Sequence, residues 1–169
     1  METALEQILT SFCKTKMISY LTAHPEDFKE AVKLAVSDKQ PYSWRAAWLL
    51  WSFIGENDLR IQGHIKTIID NISTKEDGHQ RELLKILLKM KLNEEQEGYL
   101  YSLCVSVWEK INKKPSVRYT AFRFIIEIAK KHSDLSHEIT YLAHDQYLDT
   151  LSPAVKKSIL KMLREIDKN

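Results

Sequence analysis

Four short segments recur along the chain at a nearly constant spacing, and that recurrence limits the fold more than any other feature. They are Tyr42-Ser43-Trp44-Arg45-Ala46-Ala47-Trp48, His79-Gln80-Arg81-Glu82-Leu83-Leu84, Pro115-Ser116-Val117-Arg118-Tyr119-Thr120-Ala121-Phe122, and Pro153-Ala154-Val155-Lys156-Lys157-Ser158-Ile159. Their basic residues, Arg45, Arg81, Arg118 and Lys156, stand 36, 37 and 38 positions apart. Each segment opens a run with the 3.6-residue apolar period of an amphipathic helix, and another such run precedes it. A period of this length marks one supersecondary unit, here a helical hairpin, repeated along the chain.

The pattern predicts helices over about 3–12, 15–23, 25–37, 41–54, 59–72, 78–91, 94–111, 115–131, 134–148 and 153–167. Only 4 Gly and 4 Pro occur among 169 residues, near ~5% where ~12% is average. Sheets joined by tight turns need more of both, and so do glycine-rich phosphate loops. Helix-start chemistry agrees with the pattern. Thr3 with Glu6 and Asn93 with Gln96 have capping-box spacing. Pro25, Pro41, Pro115 and Pro153 each precede an apolar run, where the missing N–H would be unbonded anyway. Short connections make successive helices antiparallel. The expectation is one all-α domain over 1–169, with a capping segment at 1–23 and hairpins at about 25–54, 59–91, 94–131 and 134–167.

The run PSVRYTAFRFIIEIA at 115–129 resembles the second helix of a HEAT repeat, whose pattern is Pro-x-Val-Arg-x-x-Ala followed by spaced aliphatics. SPAVKKSILKML is a plainer copy with Lys156 at the arginine position. Asp38, Asn112 and Asp149 lie six or seven residues before Arg45, Arg118 and Lys156, as the resemblance requires. The second unit departs from it, with Asp77 only four residues before Arg81 and no opening proline. The resemblance implies a right-handed α-solenoid of about four hairpins, with second helices lining a concave face. It also implies an interaction scaffold, because the fold itself carries no chemistry.

Helical-wheel geometry sets several expectations. Arg118 and Lys156 sit among apolar neighbours, so both are expected between helices, with Asn112 and Asp149 as the obvious partners and Arg118 bonding the Asn112–Lys114 turn or the adjoining helix. Trp44, Trp48 and Trp51, at i, i+4 and i+7, are expected in the core beneath 1–23. Cys13 and Cys104 read as reduced core residues. His137, Tyr141 and His144 share a helix face and read as a polar surface stripe. Neither a His-Glu-x-x-His motif nor a Gly-x-Ser-x-Gly elbow occurs, so no catalytic, metal or cofactor-binding residue is assigned.

Charge is more informative by element than in sum. The total is only +2 and the pI about 8.4, below the ~9 that marks nucleic-acid-binding domains. Yet the four second helices together carry +10 and the four first helices −7. Lys85, Lys89, Arg123, Lys130, Lys157, Lys161 and Arg164 are the candidate partner-binding residues of a basic face. The expected function is a non-catalytic scaffold or binding module that engages a protein or another polyanion there. The alternative is nucleic-acid binding of the kind found in AlkD-like alkylpurine DNA glycosylases, which resemble HEAT solenoids. No Trp-Asp pair matching their motif occurs, and no catalytic residue is carried over from them. An acidic N-terminus and the lack of an 18-residue apolar segment predict a cytoplasmic protein without a membrane anchor.

Overall fold

A computed structural model describes residues 1–166, and among them every regular element is helical. The chain divides into two compact units, Met1–Lys91 and Leu92–Asn169. The expected last hairpin ends at 167, a position outside the described residues.

In the first unit, α1 (Ala4–Leu9) and α2 (Lys14–Ala23) are followed by a 3-10 turn at Pro25–Asp27 that leads into α3 (Phe28–Val36). Then come α4 (Tyr42–Phe53), α5 (Leu59–Gln62), α6 (Ile65–Ile72) and α7 (Asp77–Leu88). The Thr3–Glu6 capping box forms as expected, each side chain meeting the other's backbone N–H. The helix expected over 59–72 is broken at Gly63 and His64, where glycine's poor helix propensity lets the chain step from α5 into α6. At the centre is α4, packed against α1, α2, α3 and α7. Its Ala46, Ala47, Leu49 and Leu50 are fully buried, as are Leu5, Leu9 and Leu21 of the N-terminal helices. The segment 1–23 thus caps α4 with aliphatic side chains.

In the second unit, α8 (Glu94–Glu109) begins at the expected Asn93–Gln96 capping box, and α9 (Pro115–Lys131) begins with Pro115 in its first turn. A 3-10 turn at Ser133–Leu135 precedes α10 (Ser136–Leu142), α11 (Asp145–Leu148) and α12 (Pro153–Ile166). The expected helix over 134–148 is therefore two shorter ones. Here the centre is α9, against which α8, α10 and α12 pack. Trp108 of α8 is fully buried, with its ring 4.4 Å from that of Phe122 and its indole N–H donating to the Leu142 carbonyl at 2.8 Å.

Polar side chains from the second helices fasten these units by bonding the carbonyls that end neighbouring helices. Arg118 is wholly buried. Its Nε donates to the Trp108 carbonyl at 2.9 Å, one Nη to the Tyr147 carbonyl at 2.8 Å, and the other to Thr150 Oγ1 at 2.7 Å. Burial pulls its pKa below the ordinary guanidinium value. Arg118 is an internal staple as expected, but its partners are not Asn112 or any carboxylate. Carbonyls in the last turns of α8 and α11 take the bonds, because helix ends leave them unsatisfied and negatively polarised. Lys156 does meet Asp149, at 2.7 Å, and that bond raises its pKa, although the side chain is only partly covered.

The first unit follows the same rule with different residues. Arg45 donates to the Leu9 carbonyl at 3.1 Å, and Gln80 donates to that of Ile72 at 2.9 Å. His79 Nε2 lies 2.6 Å from the Ala35 carbonyl, while its Nδ1 lies 3.2 Å from Gln40 Nε2. In the second repeat, whose spacing departs from the others, His79 and Gln80 do what the arginine does elsewhere. Arg81 instead pairs with buried Glu82 at 2.7 Å. Buried Lys75 meets Asp38 at 2.5 Å, and this bond holds the Asp38 carboxyl below its usual range.

Two core expectations need correction. Trp48 and Trp51 are half-buried and Trp44 is 40% exposed, because Ala46, Ala47, Leu49 and Leu50 occupy the inner face of α4. The core tryptophan is Trp108. Cys13 is partly exposed at the start of α2, and only Cys104 is buried.

Two outcomes follow. Arg118→Ala strands three acceptors and should lower unfolding stability by about 2–4 kcal/mol, read from denaturant midpoints. An unchanged midpoint would refute the staple. His79 is held neutral, chiefly by burial, with its pKa lowered. Its contribution is complete above the unfolded value of ~6.5 and is lost as pH falls through the lower folded value. His79→Gln keeps a donor for Ala35, so its melting temperature should fall less steeply between about pH 7 and 5 than that of the unmodified chain. Parallel curves would show that His79 does not carry the acid sensitivity.

Candidate binding surfaces

The seven cations of the expected basic face divide between the units and meet different fates. Lys85 and Lys89 belong to α7 in the first unit. Lys85 pairs with buried Glu82 at 3.0 Å and lies 3.4 Å from the centroid of the Trp51 ring. Lys89 donates to the Trp51 and Ile54 carbonyls at 2.8 and 2.9 Å, so it closes the C-terminal end of α4. Both cations are half-buried and engaged within the fold.

The other five lie on α9 and α12 of the second unit, two helices that pack on one another. Lys130 lies 3.1 Å from Glu127 and 3.9 Å from Glu165, an exposed bridge from α9 to α12. Arg123, Lys157, Lys161 and Arg164 are exposed and form no ion pair with a described residue. Lys157, Lys161 and Arg164 fall at i, i+4 and i+7, so one face of α12 presents all three.

Beside α7, the tryptophan row of α4 also collects cations. Lys14 Nζ lies 5.9 Å from the Trp48 ring and 6.0 Å from Trp51. The Arg45 guanidinium lies 4.1 Å from the Phe12 ring and 5.7 Å from Trp44. Sequence reading missed this cluster because Phe12 and Lys14, at the α1–α2 junction, are distant in the chain from Arg45 and the tryptophans of α4. The i, i+4, i+7 tryptophans were its only local signal. Among the described residues, no group of three His, Cys, Asp or Glu side chains is placed to hold a metal ion. Exposed His144 lies beside exposed Tyr141, their rings 5.8 Å apart.

A family model described as a HEAT repeat domain matches residues 1–166. The chain belongs to the HEAT repeat family. No curated protein and no solved structure matches it. HEAT repeats are helical scaffolds or binding modules and commonly mediate protein interactions. Among the described residues, no helix is long and apolar enough to cross a membrane.

The two kinds of cation should separate by stability. Lys89→Ala leaves the end of α4 without its donor and should cost about 1–2 kcal/mol. Arg123→Ala changes an exposed side chain and should stay within about 0.5 kcal/mol. Equal effects in chemical denaturation would contradict the division between internal and free cations.

Proposed function

We propose that this HEAT repeat chain is a non-catalytic binding module that holds an acidic protein segment against the cations of α9 and α12. The observation that supports it is the set Arg123, Lys157, Lys161 and Arg164, all exposed, with no carboxylate partner among the described residues. Exposed cations with local partners contribute little to binding, whereas unpaired ones attract and orient a complementary anion. Glu127 and Glu165 interrupt the same helices, which fits discrete acidic side chains better than the unbroken charge of a nucleic-acid backbone.

Titrating the whole chain with an acidic peptide and with a short duplex DNA tests the reading. The peptide should keep measurable affinity at about 150 mM salt. The DNA should bind weakly, without regard to base order, and lose most of its affinity between roughly 50 and 200 mM salt. Changing Lys157, Lys161 and Arg164 together to Glu should abolish both, for a peptide without aromatic residues, and should keep helicity, since all three are exposed. DNA binding that outlasts peptide binding at physiological salt would favour the nucleic-acid alternative. Release of a free base from alkylated DNA would overturn the non-catalytic assignment.

A further inference from the structure

A pocket of about 200 Å³ opens in the first unit between the α1–α2 turn and the outer sides of α4 and α7. Phe12, Met17, Trp44, Arg45, Trp48 and Arg81 line it. Buried Met17 forms an adaptable floor. Phe12 is 81% exposed and its backbone is left-handed, with φ 55°. For a bulky residue other than glycine that conformation is strained, and the strain aims a large apolar ring at solvent beside an aromatic cleft. The fold gains little from either feature. A ligand that stacks on Phe12 would gain from both.

The charges define what such a ligand can be. Around the pocket stand Lys14, Arg45, Arg81 and Lys85, while the carboxylate beside them, Glu82, is fully buried and already shared by Arg81 and Lys85. No carboxylate lines the pocket. Protein cations already approach the ring faces, so the site is the reverse of an aromatic cage for an ammonium group. Its volume is below the range for drug-sized ligands but accommodates one ring-sized side chain. The first unit as a whole is nearly neutral, with 13 Lys and Arg against 12 Asp and Glu. A local cation cluster on a neutral body suits a few carboxylates better than a run of phosphates, whose binding grows with the number of charges neutralised.

We propose that this pocket takes one aromatic side chain of an acidic peptide segment, with the flanking carboxylates on Arg45 and Arg81. The proposal rests on reading the chain as a binding module, and it assigns a site separate from the α9–α12 cations. Phe12 and Trp44 supply stacking surface, and Met17 adapts to the inserted ring. The guanidiniums donate to the carboxylates through the N–H groups that Arg45 does not give to Leu9 and Arg81 does not give to Glu82.

The test uses the whole chain and three probes: an Asp- and Glu-rich peptide with a single central Phe, the same peptide with central Ala, and oligothymidylate. Binding is followed by amide chemical shifts and calorimetry. The Phe peptide should bind at least about tenfold tighter than the Ala peptide and shift resonances of α4 and the α1–α2 turn. Phe12→Gly relieves the left-handed strain, so its melting temperature should hold or rise while affinity falls about tenfold or more. Trp44→Ala should also weaken binding, whereas the Lys157, Lys161 and Arg164 triple Glu variant should leave the preference for the Phe peptide over the Ala peptide intact. Equal affinity for the Phe and Ala peptides overturns the pocket, and so does indifference to Phe12→Gly and Trp44→Ala. Loss of the Phe-over-Ala preference in the triple variant alone overturns it too, while leaving the α9–α12 reading standing. Oligothymidylate that binds tighter than the peptide, with the same sensitivity to Phe12→Gly, replaces the peptide with a stacked nucleic acid.

Discussion

Unsatisfied carbonyls at the ends of short helices are the constraint on which this structure turns. An α-helix leaves its last four carbonyls without internal partners, and α1, α5, α10 and α11 are each only four to seven residues long. Helices of that length are not stable alone, so tertiary contacts must hold them. The chain answers with side chains from its longer helices. Arg45 reaches the end of α1, His79 that of α3, Gln80 that of α6 and Lys89 that of α4. Arg118 serves α8 and α11 at once. A cation in such a place also meets the negative end of the helix dipole, which explains how Arg118 is buried without a carboxylate. Gln80 to Ile72 and Arg118 to Trp108 close a hairpin, while the bonds of Arg45, His79, Lys89 and Arg118 to Tyr147 span 29 to 44 residues. The same contacts that complete a helix therefore also set how hairpins stack within a unit.

The recurrence of the anchors was legible because a basic residue among apolar neighbours at a fixed period is a property of side chains. Their acceptors were not legible. A backbone carbonyl belongs to every residue, so Asn112 was the partner that side-chain reasoning could name for Arg118, and Trp108 and Tyr147 were the ones that geometry supplied. Asp149 was found for Lys156 because there the acceptor is a side chain. The tryptophans failed for a related reason. A helix that reads as apolar all round predicts burial, yet a tryptophan ring can be covered by a lysine from elsewhere, as Lys14 and Lys85 cover Trp51. Trp108 lies on a helix with an acidic first turn and a polar tail, so nothing local marked it as the core tryptophan.

The candidate site was legible to the same degree. Charge by element pointed to the basic helices, and the wheel put Lys157, Lys161 and Arg164 on an outer face, where they are exposed. It could not separate them from Lys89, whose acceptors Trp51 and Ile54 lie 38 and 35 residues earlier. One residue type at similar helical phase serves two ends, and only the non-local partner distinguishes them. The pocket beneath Phe12 was invisible for a further reason: a left-handed phenylalanine is a property of the backbone, with no sequence signature.

Structure and binding can share these helices because they use different angular positions on them. A cation whose donors are spent on the fold cannot turn to a ligand without stranding the acceptors it serves. Arg118, with three such bonds, and Lys89, with two, are therefore closed to partners, whereas Arg45 gives the Leu9 carbonyl only one Nη bond. Five residues after Arg118 the helix has turned about 140°, and Arg123 points outward; one residue after Lys156 it has turned about 100°, and Lys157 does the same. The second helices therefore carry an inner cation for the fold and outer ones that the fold does not use. Charge on the outer positions can change with the partner while the inner bonds, and the hairpins they hold, stay as they are.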